Sequence, residues 1–375
     1  MGEAAPASAA TAAAQDAGRV RGTNNPRSPA SYNLLFRLPI LTTLPSPAEA
    51  VAKSAPTPEV DPMAADMEQV DIVIRARLAS RVALINQIST YIVSAGGKRI
   101  RPRLVLLFAE ALGFAGKAKY ELAATVEFIH TATLLHDDVV DESALRRGRA
   151  TSNSIFGNAA SVLVGDFLYS RAFQMMVSVE RMRVLEVLAD ATNVIAEGEV
   201  LQLMNMHDPD STVEAYLQVI RYKTAKLFEA SARLGAVLGG ADAGLEDACA
   251  EYGRALGTAF QLVDDLLDYE GNSTQLGKNV GDDLREGKPT LPLLLAMQRA
   301  TAGERDLIRA AIEKGEVERL AEIIDIVRRT GALSATLDAA EREADRARSC
   351  LSPLPESAAR DALLELCVRA VHRSS

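Results

Sequence analysis

Leu134-Leu135-His136-Asp137-Asp138-Val139-Val140-Asp141-Glu142-Ser143, followed by Arg146-Arg147-Gly148, is the stretch whose reading decides the fold. The apolar residues leading into it, Val126, Phe128, Ile129, Leu134 and Leu135, are compatible with a helix, so Asp137 and Asp141 stand at i and i+4 on one helical face. Two carboxylates about a turn apart, with no cysteine or paired histidine beside them, suit Mg²⁺. That cation keeps several waters and draws its remaining ligands from a substrate phosphate. Arginines just past the acids suit the phosphates themselves.

A second copy lies far downstream in Gly257-Thr258-Ala259-Phe260-Gln261-Leu262-Val263-Asp264-Asp265-Leu266-Leu267-Asp268, where Asp264 and Asp268 repeat the spacing. One D-D-x-x-D is more often a solvated acidic turn. Two copies, each on an apolar helix with basic residues nearby, read instead as a clamp that closes on a diphosphate from two sides.

The composition agrees with a globular chain: 375 residues, 48% hydrophobic, 24% charged. A net charge of −9 argues against nucleic acid, which wants a basic face. Cys249, Cys350 and Cys367 are far apart and form no C-x-x-C pair, which implies a reducing, cytoplasmic setting and neither disulfides nor zinc. The longest apolar runs, such as Leu104 to Ala115 with Glu110 inside, are too short to span a bilayer.

Residues 1–62 are rich in Ala, Pro, Ser and Thr without helical or strand period, and are expected to form a disordered leader outside the folded domain of 63–375. They lack the layout of a secretory signal. A transit peptide would need an Arg-rich amphipathic helix that is not visible, and a start at Met63 or Met67 is the plainer alternative. From Met67, Val70, Ile74, Leu78, Val82, Ile85, Ile88 and Ile92 predict helix up to Gly96-Gly97. Lys98-Arg99-Ile100-Arg101-Pro102 then places three cations in a turn ahead of a new helix, an anion site or else a plain basic cap.

Glu127-Phe128-Ile129-His130 is also the E-x-x-H of di-iron bundles, which need it twice. His136, His207 and His372 have no Glu three residues earlier, so that reading fails, and His130 lies close enough to Asp137 to reach a phosphate. Further on, Ser211-Thr212-Val213-Glu214 is expected to be a capping box. Lys223-Thr224 interrupts the next helix's apolar pattern and suits phosphate. Gly277 to Thr290 reads as a charged, Gly-rich lid. Leu291 to Val371 reads as amphipathic helices, and with no β-alternation of useful length the domain is predicted to be all-α.

On these motifs the chain resembles the trans-isoprenyl diphosphate synthases, most closely the long-chain octaprenyl type, over about residues 67–373. The motifs are G-G-K-R-I-R-P at 96–102, the aspartates and R-R-G at 137–148, K-T at 223–224, Q-x-x-D-D-x-x-D at 261–268 and G-K at 277–278. The resemblance implies one large helical bundle of the isoprenoid synthase type around a central cavity, and a homodimer. It implies that Lys98, Arg101, His130 and Arg147 hold isopentenyl diphosphate. Arg146, Lys223, Thr224, Gln261 and Lys278 would hold the allylic diphosphate, with Asp137, Asp141, Asp264 and Lys223 counted as catalytic. Mg²⁺, about two to three ions per site, would bridge that diphosphate to Asp137, Asp141 and Asp264, with Asp268 supporting. Transient membrane contact would serve release of a product destined for a quinone side chain. Bulky aromatics four and five residues before the first aspartate mark short-chain members. Thr133 and Ala132 stand there instead, with Phe128 and Ile129 further back along the tail's path, and imply a long product. Two rival readings are a class I terpene cyclase, which has no use for the G-G-K-x-x-R-P segment, and a non-catalytic partner subunit, which tends to lose one aspartate motif.

Overall fold

The computed structural model describes residues 63–93, 96–146, 148–270 and 280–372. Arg147 and Lys278, both expected in the site, and the leader 1–62 lie outside them.

The apolar pattern from Val70 to Ile92 forms two helices rather than one, α1 (Ala64–Leu78) and α2 (Ala83–Val93). The break has a local cause. Asn86 folds back to accept from the Ser80 backbone N–H at 3.0 Å and donates its amide to the Ser80 carbonyl at 2.8 Å, satisfying groups a continuous helix would have paired. After the glycine turn, Arg99 adopts a left-handed conformation (φ 46°), ion-paired to Asp71, and caps α3 (Ile100–Ala111).

α4 (Ala118–Val140) carries the first aspartates and buries Leu122, Val126, Phe128, Ile129, Ala132 and Leu135 on its other side. It ends where Glu142 turns left-handed (φ 50°) and Ser143 N–H bonds back to the Asp138 carbonyl at 3.0 Å. A two-stranded ribbon follows, β1 (Leu145–Arg146) against β2 (Arg149–Ala150), its turn closed by Gly148 at φ 72°. Too short to register as alternation, it is tied to α2 by the Tyr91 hydroxyl, which donates to the Ala150 carbonyl at 2.5 Å.

α5 (Ser152–Phe156), α6 (Asn158–Ser178) and α7 (Met182–Asn205) complete the first half. The capping box expected at Ser211 is absent: Thr212 is the N-cap of α8 (Val213–Ile220), accepting from Ala215 N–H at 3.1 Å, which moves Glu214 into the first turn. α8 runs through a π-helical turn, Arg221–Ala225, into α9 (Lys226–Gly239). α10 (Ala243–Glu270) packs along α9 and carries the second aspartates. Beyond it come α11 (Asp282–Arg285), α12 (Leu291–Arg299), α13 (Ala302–Lys314), α14 (Leu320–Arg329), α15 (Ala332–Cys350) and α16 (Ala358–Val371). A true capping box does occur at α13, between Thr301 and Glu304.

Among the described residues the architecture is all-α apart from the ribbon. One buried cluster joins α1–α7, α9, the start of α10, the end of α15 and α16. A second joins α8, the end of α10, α11–α14 and the start of α15. Tyr252, Tyr269, Phe108 and Phe228 are among the largest fully buried side chains.

Candidate active site

A cavity of about 580 Å³ opens among the α3 turn, α4, α7, the π turn, α10 and the segment before α12. The face of α4 that lines it is Glu127, His130, Thr133, Leu134, Asp137 and Asp141, recurring at helical spacing. From α10 come Phe260, Gln261, Asp264, Asp265 and Asp268. The two acidic helix ends thus share one space, as their sequences implied. Lys98, Arg101, Arg146, Lys223 and Thr224 line it too, so every described residue of the expected diphosphate and metal sets is present.

The chain-length set divides. Thr133 lines the cavity, its hydroxyl donating to the His130 carbonyl at 2.8 Å. Ala132 and Phe128 do not line it; they are buried in the first core cluster at 0% and 3% exposure. Adjacent helical residues point about 100° apart, so a small residue one step from the wall belongs to the packing behind it.

In both motifs the middle aspartate is buried to 4% exposure, Asp138 behind the cavity wall and Asp265 bordering the cavity. Asp138 accepts from Arg146 at 2.7 Å, which fixes the ribbon's arginine at the cavity rim. Burial raises the Asp138 pKa, against the pull of Arg146. Burial also disfavours the Arg146 charge, but the Asp138 carboxylate outweighs it and raises that pKa. Asp265 takes the Tyr216 hydroxyl at 2.5 Å on one oxygen and the Gln261 amide at 2.7 Å on the other. Burial, then the charge of Asp283, pushes Asp265 up to about 8 despite those hydrogen bonds.

Cations rest on the outer aspartates. Lys223 Nζ is 3.5 Å from Asp137 and 2.5 Å from Glu199. Lys288 Nζ is 3.0 Å from Asp141 and 2.5 Å from Glu286. Burial pulls the Lys288 pKa down, yet Asp141 and Glu286 more than reverse it, so the ammonium persists at neutral pH. These paired ammonium groups show that the carboxylates sit where positive charge is stabilised. Among the described residues no three acidic, imidazole or thiol groups converge into a closed metal cage. Open carboxylate walls fit Mg²⁺, which takes substrate oxygens as further ligands.

The π turn explains how Lys223 and Thr224 reach the cavity: its extra residue per turn rotates them inward. α7 approaches it so closely at Gly198 that a Cβ there would lie 2.6 Å from the Lys223 backbone N. Glu199, next to that glycine, was missed by the sequence reading, although a glycine inside an apolar helix is a signal of close approach. Burial and the Asp137 charge raise its pKa to about 7, against Lys223. Lys288, Tyr216 and Asp283 carry no local signal of their place. The lid expected over 277–290 is, from Val280 on, a bonded wall. Gly281 N–H donates to the Asp268 carbonyl at 3.1 Å, His207 N–H to the Gly287 carbonyl at 2.8 Å, and Leu284 is fully buried. Residues 277–279 lie outside the described set.

Residues 82–327 match the Polyprenyl synthetase family. The chain belongs to that family. It is 57% identical over 311 residues to the octaprenyl diphosphate synthase of Escherichia coli (strain K12), covering 83% of this chain and 96% of that one. It is 46% identical to the geranyl-diphosphate-specific all-trans-nonaprenyl-diphosphate synthase of Rhodobacter capsulatus, covering 83% and 96%. A crystal structure of a polyprenyl synthase from Caulobacter crescentus CB15, complexed with calcium and isoprenyl diphosphate, superposes with a TM-score of 0.81 at 48% identity, covering 84% and 96%.

A member of the polyprenyl synthetases is a prenyltransferase that joins isopentenyl diphosphate to an allylic diphosphate with Mg²⁺, and the cavity suits that chemistry. Ionising an allylic diphosphate puts negative charge on the leaving group. Preorganised cations stabilise it without reorganisation at the moment of reaction. Among the described residues no helix is long and apolar enough to cross a membrane.

Proposed function

We propose that this chain is a long-chain trans-polyprenyl diphosphate synthase that extends farnesyl diphosphate to octaprenyl diphosphate or a near neighbour. The observation that carries this reading is the pair of aspartate faces, Asp137/Asp141 and Asp264/Asp268, lining one cavity with Lys223 and Lys288 resting on the first. Two or three Mg²⁺ ions, held by Asp137, Asp141 and Asp264 with Asp268 in support, would neutralise the leaving diphosphate. Arg146, Lys223, Thr224, Gln261 and Lys278 hold the allylic diphosphate. Lys98, Arg101, His130 and Arg147 hold isopentenyl diphosphate, whose double bond attacks the allylic cation left when the C–O bond breaks. The proton lost from the adduct goes to the released diphosphate. Leu134, Ile195, Phe228 and Phe260 line the same cavity and exclude water from the cation.

With both aspartate pairs on one cavity, neither the cyclase nor the non-catalytic subunit gains support. α6 and α7 leave Leu163, Phe173, Val177, Leu203 and Met204 exposed, a surface suited to a second copy in a homodimer. Product release would involve transient membrane contact. Three cysteines without a disulfide, two of them buried, favour a cytoplasmic setting.

The test is purified protein with Mg²⁺, farnesyl diphosphate and labelled isopentenyl diphosphate, products resolved by length. Octaprenyl diphosphate is expected as the main product. No elongation, or arrest at geranylgeranyl diphosphate, refutes the reading.

A further inference from the structure

The Arg101 guanidinium carbon stands over the Phe228 ring, 4.5 Å from its centre, and both residues line the cavity. The contact joins α3 to α9, helices that run side by side: two turns further along each, a Cβ at Gly235 would lie 2.5 Å from Phe108 Cβ. The ring is held from several sides. It is 1% exposed, the Phe260 ring leans on it with centroids 5.5 Å apart at a 41° tilt, and α10 presses on its backbone through two glycines. A Cβ at Gly253 would meet the Phe228 carbonyl, and one at Gly257 would lie 2.7 Å from Ala225 Cα and 3.0 Å from Phe228 Cβ. A ring face and a carboxylate hold a cation differently. A carboxylate, like those on Lys223 and Lys288, takes up N–H donors and opposes their transfer to a substrate. A ring face attracts a guanidinium through its quadrupole and uses none of the N–H donors along the guanidinium edge.

We propose that Phe228 is a positioning residue whose ring face presents the Arg101 guanidinium to the diphosphate of isopentenyl diphosphate. Resting on the reading of Arg101 above, this gives a role to a ring that offers the diphosphate no hydrogen bond. An arginine side chain has several rotatable bonds, and holding them in advance lowers the entropy lost when the substrate binds. The ring can do this because α10 and Phe260 fix it in turn. The allylic diphosphate, held by other groups, gains nothing from it.

The experiment is Phe228→Leu, which keeps an apolar side chain and removes the ring face. Expected is a rise in KM for isopentenyl diphosphate of about five- to thirtyfold, with KM for farnesyl diphosphate unchanged within about twofold. In an Arg101→Met background the same substitution is expected to raise KM for isopentenyl diphosphate no further, because the group it positions is gone. An unchanged KM for isopentenyl diphosphate, an equal rise for both substrates, or the same rise in the Arg101→Met background overturns the inference and leaves Phe228 to the packing of α9 alone. Should Phe228→Leu fail to fold by circular dichroism, 3,4,5-trifluorophenylalanine at position 228 keeps the ring and withdraws electron density from its face. It is expected to raise KM for isopentenyl diphosphate severalfold at the parent's Tm. No rise, or a loss in kcat alone, which would assign the ring face to the allylic cation, overturns the inference. An Arg101→Met protein with the parent's KM for isopentenyl diphosphate would instead remove the reading of Arg101 itself.

Discussion

Gly198→Ala adds one methyl group where α7 crosses the π turn. The new Cβ would lie 2.6 Å from the Lys223 backbone N, 2.8 Å from Tyr222 Cβ and 2.9 Å from the Tyr222 carbonyl carbon, where ordinary contact begins at 3.4 Å. Two effects compete. Alanine in a helix interior gains about 0.8–1 kcal/mol over glycine. Overpacking costs about 1–3 kcal/mol, and here the upper part of that range applies because two of the three atoms met are backbone and cannot swing aside. The clash therefore wins by about 1–2 kcal/mol. Its relief moves α7 away from Lys223 and Thr224 by roughly 0.8 Å, and a misplacement of about 1 Å in a catalytic constellation can cost about a hundredfold in rate. The expected result is a Tm lower by a few degrees and a kcat lower by about ten- to a hundredfold. Gly303, in α13, has open space around it, so Gly303→Ala serves as the control and should leave kcat unchanged. Steady-state kinetics with thermal unfolding reads both. A Gly198→Ala protein with the parent's Tm and kcat would refute the close-approach argument.

Asp137→Asn and Asp264→Asn are each expected to lower turnover by several orders of magnitude at saturating Mg²⁺ while circular dichroism stays the same, and near-normal turnover in either removes that aspartate from the metal set. Thr133→Tyr projects into the cavity one turn from Asp137 and should shorten the product made from farnesyl diphosphate to geranylgeranyl diphosphate with the fold intact. Ala132→Tyr forces its ring into a fully buried position and should in addition cost about 1–3 kcal/mol of stability. Glu199, with its pKa raised to about 7, opposes folding increasingly as pH rises from the ordinary carboxyl range of about 4.5 through 7, where the folded protein must ionise it. Glu199→Gln should therefore raise Tm relative to the parent at pH 8 and not at pH 4, a gap that calorimetry at the two pH values would reveal or exclude. A chain beginning at Met63 should keep the parent's activity and Tm, and a clear drop in Tm would show that residues 1–62 pack on the helical domain.

What the sequence by itself determined is local. The i, i+4 aspartates on α4 and α10, the cationic turn at Lys98 and the break at Lys223-Thr224 were legible because residue type and a 3.6-residue period suffice to put like chemistry on one helix face. Tertiary structure alone decided what those faces meet and which neighbouring residues lie behind them. Lys288 reaches Asp141 across 147 residues of chain, and Tyr216 reaches Asp265 across 49, pairings that no spacing announces. The burial of Asp138 behind the outer aspartates of its motif, and the retreat of Ala132 and Phe128 into the core, follow from which side of the helix the packing covers. Such facing is set by the burial of apolar surface between helices distant in sequence, a property of the assembled bundle and not of any one segment.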